Sequence, residues 1–263
     1  MDIFEEIIEQ RRIGNPMVLA TVVETTGSTP RGAGAKMLVR HDGTIVGTIG
    51  GGVIEKTVVD ESKRLLGTSC TKLLSHDLRD IGMICGGDMS VLLEALNPAP
   101  ALIVFGAGHI GKVLTQIAGL LGFRITVADN RPDFANKENL PWVNETISSE
   151  YADTLDSLSF DDNTYIVILT HKHVHDYRVL EACIQKKHRY IGMIGSRKKV
   201  ADSLDKLRSK GIDEELIESV HSPVGIDIGG KTPAEIAVSI AAELVSVRNQ
   251  DNDETSGSCP SAL

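Results

Sequence analysis

The sequence predicts an α/β protein in two parts: a small N-terminal α+β domain followed by a Rossmann-type doubly wound parallel-sheet domain. Short strands punctuated by glycine fill the first part, and prolines then break the chain. Beyond them, continuous apolar strands alternate with amphipathic helices, as in a parallel sheet covered on both faces. The expected boundaries are 1–96 for the first domain, 97–100 for a linker, 101–248 for the second domain and 249–263 for a disordered tail.

The N-terminal domain combines two predicted helices with short strands. An amphipathic segment over 3–12 and a helical pattern over 53–66 are separated by alternating or apolar runs. The segment Asn97-Pro98-Ala99-Pro100 then ends the domain, because each proline lacks an N–H and biases the preceding residue to extended geometry. The predicted strands are MVLATVVET, AKMLVR, GTIVGTIG and MSVLLEAL.

The second domain alternates strand and helix. Helices are predicted over 110–121, over 176–186 and from about 197. A last helix begins after Thr232, where Thr232 is the N-cap, a proline takes the first helical position and Glu235 completes a capping box. We expect it to run to about 247, ahead of the polar tail. The predicted strands are ALIVFG, RITVAD, YIVILT and YIGMIG.

Composition excludes several classes of function. The 263 residues carry a formal net charge of −9 without a long basic run, which argues against a nucleic-acid or anionic-membrane binder. No apolar stretch approaches the roughly 20 residues that span a bilayer, and the N-terminus has no signal-peptide pattern, so we expect a cytoplasmic protein without membrane contact. The four cysteines are scattered without a CxxC pair, which predicts free thiols.

A glycine fingerprint opens the second domain. The string VFGAGHIG follows an apolar strand and begins a helix, so Gly108 would let the backbone approach a diphosphate at the helix N-terminus. Asp129 ends the next strand, where it would bind a ribose 2′-hydroxyl and favour NAD, while Arg131 leaves NADP open. In the alternative interpretation the glycines serve packing only. The predicted nucleotide-binding residues are Gly106, Gly108, His109, Gly111, Asp129 and Arg131.

Two further strand ends carry polar side chains. His171, His173 and His175 follow YIVILT and would share one side if the segment stayed extended, which suggests a metal site, although hydrogen-bonding roles are commoner. Ser196 and Arg197 follow YIGMIG at a predicted helix start, where they form either an anion cradle or an ordinary solvated cap.

Three glycine-rich motifs stand in the first domain. Residues 47–52 include four glycines whose amides could wrap a polar or anionic ligand, and Arg31 in TGSTPRG adds a guanidinium suited to phosphate. Cys85 precedes two glycines, so it is either a buried cysteine at a turn or an exposed thiolate that can contact a soft metal.

Taken together, these strings resemble the XdhC/CoxI family of xanthine dehydrogenase accessory proteins. The resemblance extends from about residue 17 to 247 and therefore covers both domains. It rests on eight strings in the same order: GSTPRGAGAKMLV, GTIGGGVIE, CGGDMSVLLE, VFGAGHIG, ADNRPDFAN, THKHVHD, YIGMIGSRKK and SPVGIDIGGKTPAEIAVSIAAEL.

The resemblance implies a chaperone that carries the molybdenum cofactor as cargo. Such a protein protects the cofactor while a separate cysteine desulfurase-type sulfurtransferase installs a sulfido ligand, and then hands it to an apo molybdenum hydroxylase. The implied cofactor-binding residues are Cys85, Gly86, Gly87, Gly50, Gly51, Gly52, Arg31 and Glu55. The implied residues of a cleft between the domains are His171, His173, Asp176, Ser196, Arg197 and Asp227.

Our hypothesis is thus a maturation factor with no assigned catalytic residue, and with no metal site beyond contact of Cys85 with molybdenum. One rival is an NAD(P)-dependent oxidoreductase acting on a small molecule, with the histidines as proton donors. Another is a redox sensor that reads the nucleotide and gates partner docking. A homodimer is also compatible with the sequence, since it is the commonest closed assembly.

Overall fold

The computed structural model describes residues 2–68, 70–82 and 86–255, with side chains up to Gln250. The chain divides into two compact units, one made of Met1–Ala99 and of the chain from Gln250 onward, the other of Pro100–Asn249. The first contains an antiparallel sheet and the second a parallel sheet. The predicted fold class is therefore confirmed.

In its described part, the first unit is a five-stranded antiparallel sheet of order β3-β2-β1-β5-β4 with two helices. Alternate β1 residues Val18, Ala20 and Val22 share one buried cluster with Ile54 and Val58 of the second helix, so the amphipathic face of that helix covers the sheet. The elements are α1 (Ile3–Ile13), β1 (Met17–Thr26), β2 (Lys36–Arg40), β3 (Ile45–Gly47), α2 (Gly52–Leu65), β4 (Thr71–Asp77) and β5 (Asp88–Leu96).

The second unit is a parallel sheet of order β11-β10-β9-β6-β7-β8. When the six strands are numbered 1 to 6 in chain order and the sheet is read from β8 to β11, this is the Rossmann order 3-2-1-4-5-6. The winding direction reverses between β6 and β9. Ligands of such sheets bind beyond the carboxyl ends of the strands near this reversal. The elements are β6 (Ala101–Phe105), α3 (His109–Leu120), β7 (Arg124–Ala128), β8 (Glu145–Ile147), α4 (Tyr151–Leu155), β9 (Thr164–Ile168), α5 (His173–Cys183), β10 (Tyr190–Met193), α6 (Arg197–Ser209), α7 (Glu214–Glu218), β11 (Val220–His221) and α8 (Pro233–Thr255), which belongs to this unit up to Asn249.

Helices cover both faces of the parallel sheet. Leu102 and Val104 of β6 belong to a buried cluster that includes residues of α3 and α8. Ile103 and Phe105, which alternate with them, belong to a second cluster that includes residues of α5 and α6. Because side chains alternate across a strand, these continuous apolar strands are buried on both faces, as the sequence predicted.

Three elements differ from the sequence-based expectation. β4 was not predicted, because Leu74 is its single buried position and an edge strand with one solvated face gives a weak apolar signal. α5 begins at His173, three residues before the expected start. α8 continues to Thr255, so its final turns occupy part of the segment 249–263 for which composition predicted disorder. No helix in the part of the chain described here is both long and apolar enough to cross a lipid bilayer.

Replacing Ile166, which is fully buried in β9, tests how much the central strand contributes to stability. Ile166→Ala should lower the free energy of unfolding by about 2–5 kcal/mol through lost burial and a residual cavity. Val174→Ala, on a 52% exposed side chain of α5, should change it by less than about 0.5 kcal/mol. Urea unfolding followed by circular dichroism measures both, and equal effects would show that β9 is not in the core.

Candidate functional site

Two glycine-rich loops of the first unit touch through their backbones. A Cβ on Gly27, whose φ is +68°, would lie 3.3 Å from Cα of Gly87, and a Cβ on Gly87 would lie 2.2 Å from the Thr26 carbonyl oxygen. The Thr26 hydroxyl also donates to Asp88 at 2.7 Å. Only glycine fits this crossing, so TGSTPRG and the segment Gly86-Gly87-Asp88 pass closely where β1 pairs with β5 because both supply bare backbone.

The third glycine-rich loop joins the same group. A Cβ on Gly50 would lie 2.4 Å from Cγ of Pro30, which places residues 48–52 against residues 26–32. Gly51 and Gly52 have φ of +75° and +67°, and a Cβ on either would meet open space. Their glycine requirement comes from backbone conformation, and they leave an uncovered backbone surface at the start of α2.

Glu55 fixes the conformation of the glycine loop at residues 48–52 through hydrogen bonds. Its Oε1 accepts hydrogen bonds from the Thr48 hydroxyl, from Gly51 N at 2.9 Å and from Ile49 N at 3.2 Å. Burial acts to raise the pKa of Glu55, but these hydrogen bonds outweigh it and hold the pKa below its ordinary value. Glu55, implied by the resemblance to contact the cofactor, therefore supports the loop, and this carboxylate oxygen is already bonded within the protein.

Arg31 is an exposed cation beside these loops. It follows Pro30, and within the described residues its guanidinium has no hydrogen bond or ion pair. Gly86 is exposed and Gly87 is buried, whereas Cys85 lies outside the described residues, as does Cys259. The structure thus places both Gly87 and Gly50 of the implied cofactor site against residues 26–30, and Arg31 follows Pro30, which packs on Gly50.

The fingerprint turn of the second unit has the predicted shape. Gly106 has φ of +118°, and a Cβ there would lie 2.2 Å from the Leu169 carbonyl oxygen, while one on Gly111 would lie 2.1 Å from the Gly106 carbonyl oxygen. A Cβ on Gly108, the N-cap of α3, would meet nothing within 4 Å, and His109 begins the helix with an exposed side chain. Gly106 and Gly111 are thus required by packing, and Gly108 faces open space.

Asp129 is occupied by protein groups on both oxygens. It is fully buried, and its carboxylate accepts from Ala107 N at 2.8 Å and from the Arg131 backbone N–H, Nε and Nη2 at 3.0, 2.8 and 2.7 Å. Burial acts to raise the pKa of Asp129, but these bonds outweigh it and lower the pKa. Arg131 also lies over the Phe134 ring, 3.9 Å from its centroid.

This arrangement does not fit the expected ribose contact. A carboxylate has about four acceptor positions, and four N–H groups of the chain already use those of Asp129. Arg131, expected near a 2′-phosphate, is bidentate to the same carboxylate. The open space at Gly108 would admit a phosphate, but Asp129 as placed cannot receive a ribose hydroxyl. It instead ties the glycine turn to the end of β7.

The three histidines are not aligned in an extended segment, because α5 begins at His173. The His173 Nδ1 lies 3.8 Å from Asp176, whose carboxylate accepts from the Thr170 N–H at 2.9 Å and hydroxyl at 2.6 Å. Burial raises the pKa of Asp176. Within the described residues, no three or more His, Cys, Asp or Glu side chains are grouped to hold a metal ion.

His171 lies in the field of the Asp129–Arg131 pair. Burial, reinforced by the positive charge of Arg131, lowers the pKa of His171. Its ring centroid is 5.4 Å from that of His175, which is 5.5 Å from Tyr151 and lines a cavity of about 110 Å³ with it. The ends of β7 and β9 are therefore electrostatically coupled, and neutral His171 is favoured near pH 7.

Arg197 and Asp227, expected in one cleft, line one cavity of about 290 Å³ within the second unit. Ser196 is the N-cap of α6 and accepts from the Lys199 N–H. The sequence analysis missed Glu243, which holds the loop beside this cavity through a 2.7 Å bond from Gly225 N. Its signal was present in the sequence, because Glu243 is the single charged residue in the largely apolar run IAVSIAAELV.

Removing the Asp129 charge tests its structural role. Asp129→Asn should lower the free energy of unfolding by about 3 kcal/mol at pH 7, because Arg131 loses a buried partner. The folded-state pKa of Asp129 is depressed, so its stabilisation is complete above the unfolded pKa of about 3.9 and is lost as pH falls through the lower folded value. Urea unfolding at several pH values should show wild type and variant converging below about pH 4. A constant difference would contradict this role.

Comparisons with known proteins agree with both units. Residues 10–77 match the model of the XdhC and CoxI family, and residues 102–244 match the XdhC Rossmann domain. A crystal structure described as that of a xanthine dehydrogenase from Bacillus halodurans superposes with a TM-score of 0.54 at 24% identity, covering 95% of this chain and 97% of that one. At that identity the likeness shows the shared fold.

Three relatives align with most of the chain. The Escherichia coli (strain K12) protein YqeB is 38% identical over 95% of this chain, which spans 47% of YqeB, about half its length. The E. coli molybdenum cofactor insertion chaperone PaoD is 27% identical over 94% of this chain and 88% of its own. A probable xanthine dehydrogenase subunit of Bacillus subtilis (strain 168) is 24% identical over 89% and 93%. The chain belongs to the XdhC and CoxI family.

Proposed function

We propose that this protein binds the molybdenum cofactor as cargo and delivers it to an apo molybdenum hydroxylase of the xanthine dehydrogenase type. One observation carries the proposal: three glycine-rich loops of the first unit meet around Gly27, Gly50 and Gly87, with the exposed, unpaired Arg31 of the described chain adjoining them. The relationship to PaoD, named as a molybdenum cofactor insertion chaperone, supports the same role.

The chemistry of these loops suits a phosphorylated pterin that carries molybdenum. The bare backbone at Gly52 can approach polar ring atoms, and the Arg31 guanidinium can pair with a phosphate. Cys85, which lies outside the described residues, directly precedes Gly86 and Gly87 in the sequence. A thiolate is a soft ligand, so Cys85 is assigned the contact to the molybdenum centre in this proposal.

A carrier binds its cofactor more tightly when the binding loop is already ordered before the cofactor arrives. Glu55 fixes the glycine loop through the N–H groups of Ile49 and Gly51, so less entropy is lost when a ligand binds. The finer parts of the proposal are protection of the cofactor during sulfuration by a cysteine desulfurase-type sulfurtransferase, and a cytoplasmic homodimer as the working form.

The rival NAD(P)-dependent oxidoreductase requires a nucleotide site in the second unit. The filled acceptor positions of Asp129 give it no ribose contact in this arrangement. Binding of a nucleotide phosphate in the open space at Gly108 stays a prediction, and it is compatible with either function. The maturation role is therefore the function that the geometry and the family support best.

Cofactor retention tests the role of Cys85. Freshly released molybdenum cofactor is mixed with the full chain, and the pterin that elutes with protein on gel filtration is quantified as its oxidised fluorescent derivative. Wild type should retain the pterin and Cys85→Ala should lose most of it, whereas the matched Cys259→Ala should behave as wild type. Retention by Cys85→Ala would remove the thiol from the site, and no retention by wild type would overturn the carrier role.

The same assay tests the phosphate contact. Arg31→Ala should weaken retention at least tenfold, because a hydrogen bond to a charged group contributes about 1.5–3 kcal/mol. Arg11→Ala, which removes an exposed arginine from the last turn of α1, is the matched control and should have no effect. If both variants retain cofactor equally, Arg31 is not part of the site.

A further inference from the structure

The second unit contains a small cavity between α4 and α5. It measures about 110 Å³. Neither the cargo proposal nor the implied cleft uses the side chains that form most of its wall. α4 contributes Tyr151 and Leu155 to this wall, and α5 contributes His175, Arg178, Val179 and Ala182.

The part of the wall that comes from α5 is one face of this helix. Its four residues follow the spacing i, i+3, i+4 and i+7, which places them on the same side of an α-helix: His175, Arg178, Val179 and Ala182. Asp176 fixes the start of the helix, because its carboxylate accepts a backbone N–H of the loop after β9 at 2.9 Å. The fold therefore sets the order of polar and apolar groups along this side of the cavity.

Tyr151 forms a fixed part of the wall. It is 4% exposed, and its ring packs edge to face on that of Phe105, with 6.2 Å between the centroids. Phe105 is the last residue of β6 and is fully buried. The Tyr151 ring also lies 5.5 Å from the ring of His175, which joins the two sides of the cavity. Because these contacts exist before any ligand arrives, less entropy is lost on binding.

Two N–H donors of the wall have no acceptor in the described part of the chain. There the Arg178 guanidinium forms no ion pair or hydrogen bond, and the His175 imidazole forms no hydrogen bond. Residues three apart on a helix have Cβ atoms about 5–6 Å apart, so one ligand group can reach both donors. Glu150 also lines the cavity, but its Oε1 accepts from the Asn130 Nδ2 at 3.2 Å. A complementary ligand therefore supplies an anionic acceptor.

The rest of the wall is apolar, and the volume limits the ligand to a small molecule. Val179 is buried, and Leu155 and Ala182 are half-buried. Small-molecule sites usually measure about 300–1,000 Å³, whereas an apolar cavity of about 150 Å³ accepts benzene. A cavity of about 110 Å³ therefore admits about four to six non-hydrogen atoms, which excludes a nucleotide or a pterin.

We propose that this cavity binds a short-chain carboxylate with a compact hydrocarbon group, of the size of isobutyrate. The Arg178 guanidinium pairs with the carboxylate, since the two planar groups match in geometry, and the His175 imidazole donates a further hydrogen bond. The hydrocarbon group displaces water from Leu155, Val179 and Ala182, which is favourable. Acetate reaches Arg178 without filling the cavity and binds more weakly. This site is independent of the cargo site.

Saturation-transfer NMR titration of the full chain tests this site with three probes: isobutyrate, acetate and isobutyramide, which has the shape of isobutyrate without its charge. Isobutyrate should bind about tenfold more tightly than isobutyramide, because a hydrogen bond to a charged group is the stronger one. Arg178→Ala should weaken isobutyrate binding about tenfold, and Ala182→Leu should abolish it by filling the cavity. Val174→Ala, on an exposed side chain of the same helix outside the wall, is the matched control and should change nothing.

Three results would overturn the proposal: no saturable binding of isobutyrate at millimolar concentration, equal affinity for isobutyrate and isobutyramide in wild type, or unchanged binding in Arg178→Ala. Circular dichroism checks that each variant is folded. Arg178→Lys, which keeps the charge on an exposed side chain, should retain part of the affinity and keeps the test valid if Ala182→Leu does not fold. Cys85→Ala should leave these titrations unchanged, so this proposal and the cargo proposal are tested on different variants.

Discussion

One type of contact, a buried or half-buried carboxylate that accepts backbone N–H groups of a neighbouring loop, fixes the loops on which every candidate site depends. Glu55 holds the glycine loop of the first unit, and Asp129 holds the fingerprint turn. Asp176 holds the loop after β9, and Glu243 holds the loop after β11. Loop backbones have few regular partners, so a carboxylate with several acceptor positions satisfies them locally. Each loop keeps its shape through this contact.

The four carboxylates divide into two electrostatic kinds. Asp129 has a bidentate arginine, while Glu55 and Glu243 collect several hydrogen bonds, and in all three these bonds outweigh burial and lower the pKa. Asp176 is also buried and hydrogen-bonded, but burial dominates and its pKa is raised. Asp176 and Asp129 share the same ordinary pKa, so as pH falls Asp176 gains its proton before Asp129 does, and the loop after β9 loses its ionic anchor before the fingerprint turn does.

The sequence predicts features that local patterns encode. The alternation of apolar strands and helices, the fingerprint glycines and the capping box at Thr232 depend on neighbours in the chain, and the structure has them at the expected places. The contact of Asp129 with the Ala107 N–H and that of Glu243 with the Gly225 N–H were not predictable in this way, since they join residues 22 and 18 positions apart. β4 was not predicted, because its pairing with β5, rather than its own sequence pattern, makes it a strand.

The glycine fingerprint of the second unit does not by itself establish nucleotide binding. Gly106 and Gly111 would each place a Cβ within 2.2 Å of a backbone oxygen, so the fold requires both glycines whether or not a nucleotide binds. The residue that would read the ribose, Asp129, is committed to the turn itself. Gly108 alone among the three motif glycines is free of any packing demand. Two of the three glycines are thus explained by the fold of the second unit alone. Any binding function of this unit must therefore depend on side chains that the fold leaves unpaired.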